Sequence, residues 1–102
     1  MVDIVSKIQE AIITNKVISF TYINNDGIES KRSVFPYYLK YTGFAVFLKG
    51  FCFLRNEERT FNIDKIENLK IKRELITDKK LIRAKIEAMN SFLFANYDKD
   101  YY

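Results

Sequence analysis

Residues 44–66 read FAVFLKGFCFLRNEERTFNIDKI. The even positions Phe44, Val46, Leu48, Gly50, Cys52 and Leu54 are all small or apolar, while the odd positions set Phe47, Phe51 and Phe53 beside Lys49 and Arg55. Side chains alternate faces along a strand, so a run that is apolar on both faces predicts a central strand covered on both sides. Twelve residues, 44–55, are long for one strand, and Gly50 sits where a bend or bulge is needed. NEE at 56–58 turns the chain into RTFNI (59–63), and NLKIKR (68–73) reads as the last strand.

Working outward, VISFTYI (17–23) alternates, with Ile18, Phe20 and Tyr22 on one face. NNDG (24–27) is a hairpin signal, because Asn, Asp and Gly tolerate positive φ. ESKRSVFP (29–36) is the expected partner strand, halted by Pro36, which has no N–H to give a ladder. Before the strands, Ile4, Val5, Ile8, Ala11 and Ile12 form one helical stripe. After them, Asp78 caps a second helix, expected over about 78–95, with Ile82, Ile86, Met89 and Leu93 on its stripe and Leu81 and Phe92 widening it. Residues 96–102 read as a polar, frayed tail. The pattern predicts a single domain over 1–102, of α+β class: about five strands in a partly open barrel between an N-terminal and a C-terminal helix. The core lies within about 8–73.

Composition narrows the chemistry. The 102 residues contain no histidine and one cysteine, which removes His-based nucleophile pairs, His-ligated metals and intramolecular disulfides. Three glycines, at 27, 43 and 50, make no phosphate loop. The expectation is a protein that is not an enzyme, with no cofactor and no metal. No apolar run is long enough for a bilayer span, and a cytoplasmic location is the natural reading. Net charge is +4 and unevenly placed: residues 31–73 hold ten Lys/Arg against four Asp/Glu, the remainder seven against nine. A basic middle rich in aromatics suits an anionic partner such as nucleic acid; lysines on a solvated sheet face look similar.

The ordered set IQEAI, VISFTY, DG, KRSVFPYYL, VFLKGFCFLRNEERTFNIDKI resembles the WYL domain, a module of bacterial transcriptional regulators and CRISPR-associated proteins. Its elements correspond here to Ala11-Ile12, Phe20 and Tyr22, Arg32 with Pro36, Gly50-Phe51-Cys52, Arg59 with Phe61, and Asp64-Lys65-Ile66. Val46-Phe47-Leu48 stands in place of the name-giving Trp-Tyr-Leu, and Lys65 in place of the family's last arginine. The resemblance implies an SH3- or Sm-like β-barrel that senses a ligand, often single-stranded nucleic acid or a nucleotide. It also implies either a free-standing module or a domain of a longer regulator.

The candidate ligand-binding residues are Arg32, Arg55, Arg59, Lys65, Tyr22 and Phe47. Arg59 shares the inward face of its strand with Phe61 and Ile63. An arginine there either pairs with Glu57, Glu58 or Asp64 or offers its planar fork to a phosphate. Arg32, at strand spacing from Val34 and Pro36, either projects toward a groove or is simply exposed beside Lys31. Arg55 is expected on one face with Phe47, Lys49, Phe51 and Phe53, where charge would meet a phosphate backbone and a ring, Phe47 above all, would stack a base. Tyr22 is a stacking or hydroxyl donor, or a barrel-rim residue. Cys52 falls on the apolar face and reads as core. The expected partner is single-stranded nucleic acid or a nucleotide-like anion, with a homodimer or a protein partner as the rival and no membrane contact. A metal-dependent nuclease built on Asp64 and Glu57 is the third reading, disfavoured by the turn at 56–58.

Overall fold

The computed structural model describes residues 2–101, with side-chain environments for residues 3–95. In chain order it has α1 (Val2–Thr14), β1 (Lys16–Ile23), β2 (Glu29–Tyr41), β3 (Val46–Cys52) and β4 (Glu57–Asn62). A single 3-10 turn (Ile63–Lys65) then leads into β5 (Ile66–Leu75) and α2 (Lys79–Tyr101). The five strands form one antiparallel sheet in the order β4-β3-β2-β1-β5, so the fold is α+β with a helix at each end.

β4 and β5 are the two edges of this sheet, yet only three residues join them. Three extended residues reach roughly 10 Å, whereas four inter-strand gaps of a flat sheet come to roughly 19 Å. The sheet must therefore curl. β5 supplies part of the bend, because its pairing with β1 shifts register twice, between Lys16 and Ile18 and between Ser19 and Thr21. Asn68, in the left-handed region at φ 55°, lies at the second shift. Curling brings β1 against β4 across the interior: the Tyr22 and Phe61 rings meet edge-on at 5.0 Å, and the Asn62 N–H donates to the Tyr22 hydroxyl at 3.2 Å. Among the described residues no ladder joins β4 to β5, so the sheet remains open along that seam.

The concave face holds the core. Ile18, Phe20, Val34, Leu48, Cys52, Phe61, Ile63 and Ile66 are buried on it, and α1 closes it with Ile8 and Ala11. Ile4, Val5 and Ile12 pack around them, so the N-terminal stripe is as the spacing predicts. Each fully buried aliphatic side chain is worth about 1.5–3 kcal/mol relative to exposure. Cys52, fully buried, belongs to this core.

Two expectations about β2 and β3 need correcting. Pro36 does not halt its strand; β2 runs on to Tyr41, and the ladder to β3 slips by one residue between Pro36 and Tyr38. The missing N–H is tolerated because it falls at this bulge. β3 is an interior strand between β4 and β2, as its two apolar faces predict, but it is shorter than expected, starting at Val46 and ending at Cys52. Phe44 and Leu54 therefore lie in turns and are exposed, and Arg55 sits in the turn between β3 and β4 rather than on a strand face. Gly50, opposite Pro36, marks a close approach: a Cβ there would lie 2.6 Å from the Phe35 carbonyl oxygen and 2.7 Å from Val34 Cγ1.

α2 covers part of the convex face. Asp78 caps it, its carboxylate accepting from the Lys80 N–H at 2.8 Å. The helix faces the sheet with Ile82, Lys85, Met89 and Phe92; Ile86 and Leu93 of the expected stripe point away and are exposed. Lys85 is the most buried of these, 7% exposed. Its ammonium donates to the Ile12 carbonyl and to Asn15 Oδ1 at the end of α1, and it lies 5.4 Å from the centre of the Phe35 ring. A cation at a helix C-terminus meets orphan carbonyls and the negative end of the dipole, which is why a lysine is accepted there. Burial still pulls its pKa down. The helix passes the expected end at residue 95; the side chains of 96–101 and all of Tyr102, where fraying was expected, lie outside the described residues.

Two outcomes follow from this packing. Gly50→Ala drives a methyl into the β2 backbone and lowers unfolding free energy by about 1–3 kcal/mol, the usual penalty for overpacking, measurable by urea titration. Burial, with the Glu58 carboxylate nearby, raises the Tyr37 hydroxyl well above its ordinary 10.0. Its oxygen has no hydrogen-bond partner among the described residues. Above that ordinary value the unfolded chain loses a proton that the native one keeps, so stability falls as pH rises through and beyond 10.0. The denaturation midpoint should drop between pH about 9 and about 11, and drop less in Tyr37→Phe; an equal drop in both proteins would place the alkaline loss elsewhere.

Candidate anion-binding groove

β1, β5 and the Glu29–Ser33 half of β2 leave their convex face uncovered by the described residues of α2, and there a groove of about 610 Å³ opens. Its floor follows from simple alternation. Ile18, Phe20 and Val34 face the core, so Ser19, Thr21, Lys31 and Ser33 between them face outward, with Ser19 opposite Ser33 and Thr21 opposite Lys31. β5 contributes Asn68 and Lys70, the latter opposite Ser19. The other wall is the β3–β4 turn, whose Phe53 and Leu54 bend over the sheet and are held by the Phe53 N–H donating to the Ser33 carbonyl at 3.0 Å. Phe53 is 40% exposed and rests edge-on against Phe51, so its ring is propped rather than buried. Among the described residues, every charged residue bordering the groove is cationic: Lys31, Arg32 and Lys70. A hollow of about 490 Å³ continues it, sharing Ser33 and Phe53 and adding Lys72, Arg73 and Glu74. Lys72 Nζ donates to Ser33 Oγ at 3.2 Å across the junction.

The six residues singled out in the sequence do not form one site. Arg32 borders the groove, but its guanidinium lies on the core face, 9% exposed. There Nε donates to Ser30 Oγ at 3.0 Å, Nη1 reaches Cys52 Sγ at 3.6 Å, and Cζ stands 5.8 Å from the centre of the Phe61 ring. No carboxylate pairs with it: among the described residues the one ion pair is Arg59–Glu57, at 2.8 Å. Arg59 thus takes the salt-bridged arrangement weighed for it. Arg55 is exposed on the turn that walls the groove. Lys65 bonds to Asn25 Oδ1 in the β1–β2 turn, and Tyr22 tethers β1 to β4 through its hydroxyl. Phe47 lies apart, in a hollow of about 310 Å³ with Tyr38, Lys40, Lys49 and Thr60. The sequence reading missed Lys31, Lys70 and Phe53 as groove residues. A signal for the first was present, since polar residues interleave the apolar ones on both β1 and β2; that β5 and the turn join them is a tertiary fact.

Among the described residues no three His, Cys, Asp or Glu side chains come together as metal ligands, and no helix is long and apolar enough to cross a membrane. The WYL domain family matches residues 3–71, more than half the sequence, and this chain belongs to that family. Among solved structures it is similar to proteasome accessory factor B/C (PafBC) of Arthrobacter aurescens, with a TM-score of 0.69 at 18% identity, over 76% of this chain and 12% of that one. The likeness is therefore one of fold, to a small part of a much longer protein. Comparison with curated proteins returned no match.

Proposed function

We propose that this WYL domain is a non-enzymatic, ligand-sensing element of a regulator, acting in the cytoplasm, and that it takes an anionic ligand, preferably single-stranded nucleic acid, in the convex groove. The observation that carries this reading is the lining: two lysines, no carboxylate among the described residues, and a propped aromatic ring over hydroxyl and amide donors. Phosphates meet Lys31 and Lys70 while a base stacks on Phe53, a combination that tolerates any sequence. The buried guanidinium of Arg32, uncompensated by a carboxylate, adds positive potential beneath β2, in a low-dielectric setting where charge carries further. A bound strand ties β1, β2 and β5 to the β3–β4 turn, and the ordering of that turn is the step by which occupancy is transmitted.

Fluorescence anisotropy with labelled single-stranded DNA, single-stranded RNA and duplex DNA across a salt series tests this. Single strands should bind best, and Lys31→Ala/Lys70→Ala should weaken them about tenfold and flatten the salt dependence by about one unit of slope per lysine. Arg59→Ala, whose guanidinium is held by Glu57, should change affinity little. No binding at low salt, or an unchanged double variant, would reject the groove.

A second reading, a dimerisation or partner-docking module, is supported by the outward face of α2. Ile86, Leu93 and Phe94 are 52%, 61% and 70% exposed there, two of them a heptad apart. If that face is an interface, size-exclusion light scattering shows mass rising with concentration, and Leu93→Asp abolishes the rise. A monomer at every concentration removes this reading.

A further inference from the structure

Where α2 runs past β4, a small hollow of about 240 Å³ lies between them, lined by Glu58, Ala84, Glu87, Ala88 and Ser91. Ala84 and Ala88 are one turn apart on the helix, as are Glu87 and Ser91, so all four share one flank of α2. The alanine side chains end at Cβ and leave room beside the two carboxylates. Neither glutamate is ion-paired: among the described residues the one salt bridge is Arg59–Glu57. Arg83, one turn before Glu87, makes no bridge to it, and Lys49, diagonal to Glu58 on the β3–β4 ladder, lines the hollow around Phe47. Two unpaired acids thus meet at one hollow in a chain of net charge +4. A second observation comes from beneath α2. Phe35, Phe51 and Glu58 stand in one row across β2, β3 and β4, and Tyr37, fully buried, rests edge-on against Phe35 with ring centres 6.0 Å apart. The Glu58 charge acts on the Tyr37 hydroxyl, yet that hydroxyl has no hydrogen-bond partner among the described residues. An orphaned buried hydroxyl keeps its full desolvation penalty, so this one is poised to donate once Glu58 is held in place.

We propose that this hollow receives a guanidinium group, held between the carboxylates of Glu58 and Glu87, with Ser91 Oγ accepting a further N–H and the Tyr37 hydroxyl donating to Glu58 from behind. A hard cation such as Mg²⁺ or Ca²⁺ calls for an octahedral or larger cage of oxygens, and among the described residues no three acids come together. A guanidinium asks for less. It is planar and weakly hydrated, it spreads its donors over two carboxylates at once, and its apolar stem suits the alanine wall. At about 240 Å³ the hollow is smaller than the cavities that enclose drug-sized ligands, and it fits a side-chain head group. The same chemistry comes from two sources, an arginine presented by a protein partner or a free guanidino compound. The hollow shares no lining residue with the convex groove, so it stands whether or not that groove binds an anion.

Amide chemical-shift titrations of the whole chain at low salt test it, with four probes: acetyl-glycyl-arginyl-glycine amide, the same peptide with lysine, agmatine and magnesium chloride. The arginine peptide should saturably shift the amides of Glu58, Glu87 and Ser91. It should bind about tenfold more tightly than the lysine peptide, the gain from one further charge-assisted hydrogen bond. Glu87→Gln, at an exposed helix position, should weaken the response about tenfold for the same reason. Ala88→Leu fills the hollow without changing charge and should abolish it, while Lys31→Ala/Lys70→Ala should leave it intact. Tyr37→Phe should weaken it several-fold, because Glu58 then lacks the donor behind it. A peptide that binds more tightly than agmatine assigns the site to an arginine of a partner, and agmatine binding as tightly or better assigns it to a free guanidino compound. The proposal is overturned if no probe shifts these amides saturably, if the lysine peptide or magnesium matches the arginine peptide, or if Glu87→Gln and Ala88→Leu are without effect.

Discussion

Three residues, Ile63–Lys65, join strands at opposite edges of the sheet, and that short link dictates the shape of everything else. Because it cannot span a flat sheet, the strands wrap around one core, and the concave side becomes an interior that α1 can close with a single stripe. The same curl pushes Phe61 against Phe20 and Tyr22 from across the concave interior of the sheet, at 5.2 and 5.0 Å, edge-on in both cases. Edge-to-face rings at such distances add about 0.5–1.5 kcal/mol per pair beyond burial. The link thereby converts two distant strands into one aromatic contact.

Once the concave face is given over to packing, ligand chemistry is left to the convex one. There the position of α2 decides what remains open. Lys85 fixes the helix to the end of α1 and across Phe35, so the second half of β2 is roofed while β1, β5 and the Glu29–Ser33 half of β2 stay bare. The uncovered strip carries Lys31, Lys70 and Lys72 with Phe53 at its margin. The hollow around Phe47 is what the roof leaves at its far border, with Phe92 as its edge. A buried lysine that lines neither hollow thus holds the helix that divides the outer surface.

Arg32 shows where reading residue types alone misleads. Its spacing from Val34 and Pro36 correctly placed it on a strand, and its charge invited a solvent-facing role. The register instead sets it opposite Phe20 on the core face, held by a hydroxyl, a thiol and a ring. Arg59 shared that inward parity, but Glu57, two residues back on the same face of an edge strand, neutralises it. Lys31, one residue from Arg32, was passed over, although a shift of one residue is all that separates core from groove on a strand.

By itself the sequence determined the elements that rest on local periodicity: the α1 stripe, the alternation of β1, the Asn-Asp-Gly turn, the cap at Asp78 and the ordered pattern that marks a WYL domain. It also determined that cations and aromatics concentrate in the middle of the chain, because composition is independent of folding. Only the tertiary structure decided that Pro36 sits at a bulge against Gly50, that α2 turns Lys85 rather than Ile86 toward the sheet, and which cations share a surface. The physical reason is common to all three. A close backbone approach, a helix's rotation on its sheet and a groove formed by β1, β2, β5 and a turn each depend on residues brought together from distant parts of the chain, which no local period encodes.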